Sequence, residues 1–312
     1  MFTIRRYTPA DRAIWDSYVG RARNATFLFY RDYMDYHADR FQDHSLLFFV
    51  DSHLHSILPA NVVGDTLYSH QGLTYGGLVM DIDVTASDVV QLFRELNAWL
   101  PTVGIRRVVY KPVPWVYHQH ASEEDLYALY WICRARIATR DVGTVIFLQQ
   151  HLRWRRLRRR CLRHAQEAGV EVVRTDRFAP FWEVLETNLM ERHQVHPVHT
   201  LQEIELLHGR FPDNIIHYEA LLHGEVVAGI TFYLSRQVLH AQYSSSNAVG
   251  KEIGALDAIY DQAMHRDFPD IPYLDFGRST EGDGSILNDG LVAQKEGFGG
   301  RTICYDTYEW EV

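Results

Sequence analysis

The sequence predicts an α+β protein made of two related lobes, and the main observation is a repeated order of elements. Two short strands, a third strand, a polar or glycine-containing loop, a helix and a further strand occur in Leu46–Lys111 and again in Ile215–Gly277. The 312 residues are enough for two domains with cores of their own. A hydrophobic fraction of 46% and a charged fraction of 23% are typical of a globular protein. We therefore expect lobes at residues 1–145 and 146–312, each with a mixed sheet flanked by helices.

The first lobe shows alternating and helical hydrophobic periods in turn. Ser87 is a plausible N-cap, with Asp88 in the first turn of an amphipathic helix that runs to Leu100. Pro112 and Pro114 end the strand before them. In chain order we predict a helix at 9–20, strands at 46–50, 54–60 and 66–70, a helix at 87–100, a strand at 108–111, a helix at 122–136 and a strand at 143–149.

The second lobe opens with a dense run of arginines between Arg153 and Arg163, in a helix closed by Gly169. A strand at 170–173 and helices at 179–192 and 200–209 precede the repeat. The repeat itself gives strands at 215–222, 226–234 and 238–244, a helix at 252–265 and a strand at 272–276. A short helix at 287–296 and a final strand at 302–311 complete the prediction.

Composition excludes several classes of protein. The formal charge of −9 gives no overall attraction to nucleic acid or to anionic membranes, apart from the arginine run. No apolar stretch is long enough to span a membrane, and no signal peptide is recognisable. Three scattered cysteines are typical of reduced thiols, and no metal-ligand spacing is present. We expect a cytoplasmic protein without a metal.

Two loops follow third strands and could hold an anion at the start of a helix. Free backbone N–H groups at such a position suit a pyrophosphate. The first loop is Ser69-His70-Gln71-Gly72-Leu73-Thr74-Tyr75-Gly76-Gly77, and the second is Tyr243-Ser244-Ser245-Ser246-Asn247-Ala248-Val249-Gly250-Lys251. The predicted duplication places an active cleft between or within the lobes.

At this point the residues resemble a known family. The order of strands, loop and helix, used twice, is similar to the GCN5-related N-acetyltransferase (GNAT) fold in tandem, over roughly residues 40–311. The second half looks most like the FemAB-type branch, and the chain also resembles bacterial nucleotide-sugar N-acyltransferases. The residues that carry this resemblance are His240-Ala241-Gln242-Tyr243, Gly250-Lys251, Ala255-Leu256-Asp257, Asp275-Phe276-Gly277, the segment from Leu287 to Gly299, and the loop from Ser69 to Gly77. The glycine spacing in 242–254 departs from a typical pyrophosphate loop, which leaves open which lobe binds the carrier.

The resemblance implies transfer of an acyl group from acyl-coenzyme A, as co-substrate, to the amine of a nucleotide-linked amino sugar for surface polysaccharide (lipopolysaccharide or O-antigen) synthesis. Direct transfer needs a neutral amine, an N–H dipole for the developing oxyanion, a group that protonates the leaving thiolate and a cradle for the carrier. As catalytic candidates we name His70, Asp275 and Tyr243. As carrier-binding candidates we name Ser244, Ser245, Ser246, Gly250, Lys251 and Gly254. As substrate-binding candidates we name Tyr75, Gly76, Gly77, Lys111, Asn288 and Lys295.

Each candidate also has a structural interpretation. The Tyr243 hydroxyl could cap the sheet edge, Asp275 could form a local hydrogen bond, and a histidine such as His70 is more often a satisfied core group. Two other functions remain open. One is a FemAB-like aminoacyl-tRNA-dependent transferase that acts on a cell-wall precursor, with nucleic acid as a partner only in that case. The other is a non-catalytic protein that binds sugar nucleotides.

Overall fold

A computed structural model describes the backbone of residues 1–312 and the side chains of all but residues 192 and 193. The chain divides into two compact units. The first contains Met1–Asp141, Gly282–Ser285 and Cys304–Val312, and the second contains Val142–Glu281 and Ile286–Ile303. We had placed the final strand in the second lobe, but most of it groups with the first unit. The reason is its pairing, since Tyr308 and Trp310 lie opposite Tyr110 and Val108.

The first unit contains two sheets. Its strands are β1 (Thr3–Arg6), β2 (Leu46–Val50), β3 (His53–Leu58), β4 (Asn61–Val63), β5 (Thr66–Tyr68), β6 (Val79–Met80) and β7 (Arg107–Tyr110). Its helices are α1 (Arg12–Arg21), α2 (Arg31–Met34), α3 (Ala86–Trp99) and α4 (Glu124–Trp131). One sheet has the order β1-β2-β3-β6 and is antiparallel. The other places β5 between antiparallel β4 and parallel β7, which makes it mixed.

Helix α3 shows how the first unit builds its core. Val89, Leu92, Phe93 and Leu96 recur at helical spacing and are buried against both sheets. The N-cap lies two residues before Ser87. Thr85 is the N-cap, because its hydroxyl accepts from the Asp88 N–H while the Asp88 carboxylate accepts from the Thr85 N–H. This reciprocal pair is a capping box.

The second unit is built on one mixed sheet. Strand β8 (Arg136–Phe147) enters it from residue 142, and the other elements follow in the chain. They are α5 (Arg156–Glu167), β9 (Glu171–Arg174), α6 (Ala179–His193), α7 (Leu201–Arg210), β10 (Ile215–Leu222), β11 (Glu225–Leu234), β12 (Val238–Ser246), α8 (Ala248–Ile253), α9 (Ala255–Gln262), β13 (Tyr273–Arg278), β14 (Thr280–Glu281), β15 (Ile286–Leu287) and α10 (Asp289–Gly297). Strand β16 (Arg301–Glu311) begins in this unit, and from residue 304 it belongs to the first unit. The order within this unit is β8-β13-β12-β11-β10-β9, with β12 and β13 parallel.

Helices cover both faces of this sheet. On one face, Ile259 and Tyr260 of α9 pack with Ile230 and Phe232 of β11 in the core. On the other, α6 lies so close to Gly229 that a Cβ there would be 2.3 Å from Phe181. Because successive strand residues point to opposite faces, the alternation in β11 accounts for both layers.

The helix predicted at 252–265 is two helices. Gly254, with φ of +77°, ends α8 and lets α9 start in a new direction. A left-handed conformation costs other residues more than glycine, so the break lies at the glycine.

Candidate active site

The two parallel strands of the second unit separate after only three pairs. Val238 lies opposite Tyr273, Leu239 opposite Leu274 and His240 opposite Asp275. Strand β12 nevertheless continues to Ser246, and β13 continues to Arg278. The two strands therefore diverge beyond His240 and Asp275.

Both strands are bent at the level where they part. In β12 the register against β11 shifts, so that Phe232 faces Ala241 and Thr231 faces Tyr243, which leaves Gln242 as an extra residue. In β13 the pairing with β8 is irregular between Asp275 and Arg278. A β-bulge bends its strand and interrupts a ladder, and this geometry explains the divergence.

A cavity of about 500 Å³ opens where the strands diverge. It is lined by residues of α6, both diverging strands, α8, α9, α10 and the residue that follows α10. The lining residues are Leu185, Asn188, Leu189, Ala241, Ser244, Ser245, Ser246, Lys251, Leu256, Tyr260, Phe276, Arg278, Leu291, Gln294, Lys295 and Phe298. The cavity joins an apolar wall to a group of serines and three cations.

Two of the three lysines in the chain, Lys251 and Lys295, line this cavity. Burial lowers the pKa of Lys295 to about 8, although the Asp275 carboxylate opposes this shift. The Lys295 ammonium donates to the carbonyls of Gly277 (3.0 Å) and Arg278 (2.6 Å) and to the Ser279 hydroxyl (2.8 Å). At pH 7 this amine is mostly protonated and holds the end of β13 in place.

The predicted serines lie in the cavity wall, and Asn188 of α6 connects two of them. Its amide donates to the Ser245 hydroxyl (2.8 Å) and the Ser246 carbonyl (2.9 Å), while its oxygen accepts from Lys251 (2.8 Å). Ser244 is exposed, with one long contact to the Tyr260 hydroxyl at 3.4 Å. The sequence had given no reason to select Asn188.

The predicted glycines serve close packing. A Cβ on Gly250 would lie 2.2 Å from the Val227 carbonyl oxygen, and the Gly250 N–H donates to the Asn247 side chain at 2.8 Å. A Cβ on Gly254 would lie 2.6 Å from the Cys161 carbonyl oxygen. Neither glycine belongs to the cavity lining. Their roles in carrier binding stay predictions, and the Asn247 cap already occupies the N–H that we had expected to be free.

Tyr243, named above as a catalytic candidate, is buried and is not among the residues that line the cavity. Its hydroxyl accepts from the His199 N–H at 3.2 Å and is hydrogen-bonded to the His199 ring, and its own ring contacts Trp182. The extra residue Gln242 changes the alternation, so that Tyr243 turns toward α6. A sequence pattern of period two could not reveal this bulge.

Asp275 is completely buried, and both of its carboxylate oxygens have hydrogen-bond partners. One oxygen accepts from the Gly277 N–H at 2.7 Å, and the other lies 3.0 Å from Nδ1 of His240. The carboxylate is thus in contact with His240, whose side chain is 12% exposed. We had not chosen His240 as a site residue, because its pairing with Asp275 depends on the register between strands that are 35 residues apart.

The catalytic and aromatic candidates of the first unit are buried. His70 is 2% exposed and stacks on His37, and burial lowers its pKa to about 3. A histidine with this pKa is a weak base at neutral pH, which argues against a catalytic role. Tyr75 is buried, and its hydroxyl donates to Thr26 at 3.2 Å.

The remaining substrate-binding candidates have structural partners. A Cβ on Gly76 would lie 1.8 Å from the Ser69 carbonyl oxygen, and one on Gly77 would lie 3.0 Å from the Tyr110 hydroxyl. Lys111 donates to the Leu73 carbonyl at 2.7 Å. In the second unit, the Asn288 side chain caps α10 by accepting from the Leu291 N–H. Their binding roles stay predictions.

Two absences concern only the residues whose side chains are described. Among these residues, no three histidine, cysteine, aspartate or glutamate side chains are grouped as metal ligands would be. Over the same residues, no helix is both long enough and apolar enough to span a bilayer.

A family model matches a large part of the second unit. Residues 149–283 match the model described as the acetyltransferase (GNAT) domain, which is less than half of the chain. This range contains the diverging strands and most of the cavity. The fold and the matched domain define the class of protein: the chain is an acyltransferase with a GNAT-like fold, as predicted.

Solved structures share the fold at low identity. FemX superposes with a TM-score of 0.67 and 11% identity over 99% of this chain and 97% of FemX. L-PGS from Bacillus licheniformis superposes with a TM-score of 0.61 and 12% identity, over 98% of this chain and 92% of that protein. A tandem GNAT protein from the clavulanic acid biosynthesis pathway superposes with a TM-score of 0.51 and 10% identity, over 100% of this chain and 98% of that protein. No curated protein shows significant sequence similarity to the chain. The predicted tandem GNAT fold class, with mixed sheets flanked by helices, is confirmed.

Proposed function

We propose that the chain is an N-acyltransferase that moves an acyl group from acyl-coenzyme A to the amine of a nucleotide-linked amino sugar. The observation that carries this proposal is the divergence of β12 and β13 around the cavity. Strand residues beyond the last pair have backbone N–H groups that no neighbouring β13 carbonyl accepts in a ladder. Such groups can polarise a thioester carbonyl and stabilise the oxyanion that forms during attack.

The cavity supplies both an apolar wall and positive charge. Leu256, Phe276 and Phe298 suit an acyl chain. Lys251 and Arg278 suit the diphosphate of a carrier or a nucleotide sugar. The charge of Lys295 acts at a distance, because its three protons are already donated to β13 and to the residue that follows it. This arrangement needs no covalent nucleophile.

A thiol-release assay tests the proposal. Purified protein is mixed with short acyl-CoA thioesters and a panel of nucleotide-linked amino sugars. Free thiol should appear only when both substrates are present, and the acylated sugar should appear in equal amount by mass spectrometry. Binding of the sugar nucleotide without turnover would instead support the non-catalytic binder.

The side chain of Lys251 provides a matched comparison within this assay. Lys251→Gln should raise the apparent KM for acyl-CoA by about 10-fold, since one charge-assisted contact contributes roughly 1.5 kcal/mol. Arg94→Gln removes an exposed positive charge on α3 of the first unit. It should leave this KM unchanged. Equal effects of the two variants would contradict the placement of the carrier in the cavity.

A second candidate is an aminoacyl-tRNA-dependent transferase, and helix α5 favours it. Arg158 pairs with Asp257 at 3.1 Å and Arg155 pairs with Glu296 at 2.9 Å, which anchors the helix. The other arginines of the run are exposed, and none forms an ion pair with any residue whose side chain is described; they are Arg153, Arg156, Arg159, Arg160 and Arg163. A row of unpaired guanidinium groups suits a phosphate backbone.

Salt dependence separates the two donors. If tRNA is the donor, binding should weaken steeply with salt, and the slope of log K against log salt should fall by about 0.9 for each phosphate contact removed. Arg156→Gln, Arg160→Gln and Arg163→Gln together test this slope. Arg94→Gln, at an exposed position of α3, is the control. An unchanged slope in the triple variant would count against an RNA donor.

A further inference from the structure

Strand residues His240 and Asp275 form a dyad at the point where β12 and β13 separate. Asp275 Oδ2 lies 3.0 Å from His240 Nδ1, and Asp275 Oδ1 accepts from the Gly277 N–H at 2.7 Å. The next residue of each strand, Ala241 and Phe276, lines the cavity, and since successive strand residues point to opposite faces, the dyad lies at the same level on the other face of the sheet. We propose that His240 is the catalytic base of acyl transfer and that Asp275 is the residue that positions it. This inference rests on the proposed acyl transfer.

The difference in exposure assigns the two roles. Asp275 is 0% exposed and both of its oxygens have partners, so it cannot reach a substrate amine. The His240 side chain is 12% exposed, and its Nδ1 has Asp275 as its partner. Of the two side chains, only His240 is open to solvent and hence to a substrate.

The carboxylate sets the tautomer of the ring. A carboxylate that accepts from Nδ1 keeps the proton on that nitrogen and leaves Nε2 as an acceptor. The ring itself packs beside Gly277, where a Cβ would lie 3.2 Å from His240 Cε1. Gly277 lies between Phe276 and Arg278, which both line the cavity. The ring therefore lies beside the backbone of β13 just beyond the last pair of the two strands, where they begin to diverge.

The proton balance of the step is simple. The neutral amine attacks the thioester carbonyl carbon, the C–N bond forms, and the C–S bond breaks with its electron pair going to sulfur. Nε2 of His240 removes the proton that the nitrogen must lose. The imidazolium then returns this proton to the thiolate, so that the amide and the free thiol are the products and His240 is neutral again.

The decisive variants are His240→Gln and Asp275→Asn, with His265→Gln as a matched control. His265 forms a similar contact with Asp261, also at 3.0 Å, but this pair lies at the end of α9 and not at the point where the strands diverge. His240→Gln should lower kcat by about 10²–10⁴ with little change in either KM, because a proton transfer is lost while binding is kept. Asp275→Asn should lower kcat by at least about 10², since the wrong tautomer is stabilised. The control should retain its kcat within about twofold.

The outcomes separate the inference from the function it rests on. A wild-type protein that turns over, together with a folded His240→Gln variant of near wild-type kcat, overturns the inference alone. A wild-type protein that releases no thiol with any donor and amine overturns both. If His240→Gln does not fold, nitrogen-15 NMR of the wild type decides. A proton on Nδ1 of His240 supports the dyad, and a proton on Nε2 in the neutral ring contradicts it.

Discussion

The parallel strand pair of the first unit and that of the second start from the same arrangement and end differently. In the first, Leu67 of β5 lies opposite Val108, in the middle of three pairs. In the second, Leu239 of β12 lies opposite Leu274, also in the middle of three pairs. Each strand has an antiparallel neighbour on its other side, and a helical connection leads to its parallel partner. The strands that we expected to correspond thus hold equivalent positions in their sheets.

Beyond the third pair the two copies differ. In the first unit, the Ser69 N–H donates to the Val109 carbonyl at 2.9 Å, and the Ser69 hydroxyl accepts from the Lys111 N–H at 2.7 Å. The Gly76 N–H then donates to the Lys111 carbonyl at 2.9 Å. In the second unit the strands separate and leave a cavity. One copy therefore closes with hydrogen bonds at the position where the other can hold a ligand, which favours the second unit as the site of the acyl group.

The largest effect should come from Gly76→Ala. Its Cβ would lie 1.8 Å from a backbone oxygen of Ser69, so the closed loop must move and the first unit should lose about 4 kcal/mol or more of stability. Urea unfolding measures this loss. Gly209→Ala, in helix α7 with open space around it, should instead stabilise by up to about 1 kcal/mol. An unchanged unfolding midpoint for Gly76→Ala would show that the loop is not closed as described.

The next largest effect on stability concerns α3 and α9, the helices that follow β5 and β12. The first unit holds α3 by apolar packing, whereas α9 of the second also carries the buried Asp257, paired with Arg158. Burial raises the pKa of Asp257 to about 7, against the effect of Arg158. Arg158→Leu leaves this carboxylate without its partner and should cost about 3 kcal/mol in urea unfolding. Arg159→Leu, exposed on the same helix, should change stability by less than about 0.5 kcal/mol. Similar losses would mean that the two arginines are equivalent.

Filling the cavity of the second unit should lower the rate of turnover more than it lowers the stability of the fold. Ala241→Phe places a ring in the cavity between the diverging strands and should lower kcat/KM by about 10² or more, equal to about 2.7 kcal/mol. Circular dichroism should show an unchanged melting temperature within a few degrees. Ile286→Phe adds similar bulk at an exposed position and is the control. Full activity of Ala241→Phe would place the acyl group elsewhere.

The smallest effect compares one serine in each copy. Ser69→Ala removes the acceptor of the Lys111 N–H and should cost about 1–2 kcal/mol. Ser244→Ala loses only a 3.4 Å contact with Tyr260 and should change stability by less than about 0.5 kcal/mol. Denaturant unfolding of both variants under identical conditions gives the two changes in the free energy of unfolding. If Ser244→Ala lost more stability than Ser69→Ala, the strand end of the second unit would be held more firmly than that of the first, contrary to the description above.

The sequence predicted the repeated elements well because their periods are local. Strand β10 at 215–222 matches the prediction, and α3 differs from its prediction by one residue at each end. The site was less predictable, because its features depend on contacts between distant residues. The bulge at Gln242 requires the register of β11, and the role of His240 requires that of β13. The sequence shows the glycines of both loops, but it does not distinguish a glycine needed for close packing from one needed for ligand binding.

The return of residues 304–311 to the first unit has a consequence for how the chain folds during synthesis. Domains usually fold one after another as they leave the ribosome. Here β7 pairs with a strand that is translated only after the whole of the second unit. The amino-terminal unit can collapse early, but one edge of β7 stays without its partner until residues 304–311 have been synthesised. The first unit is thus completed only after the second, and until then its unpaired strand edge is open to wrong partners.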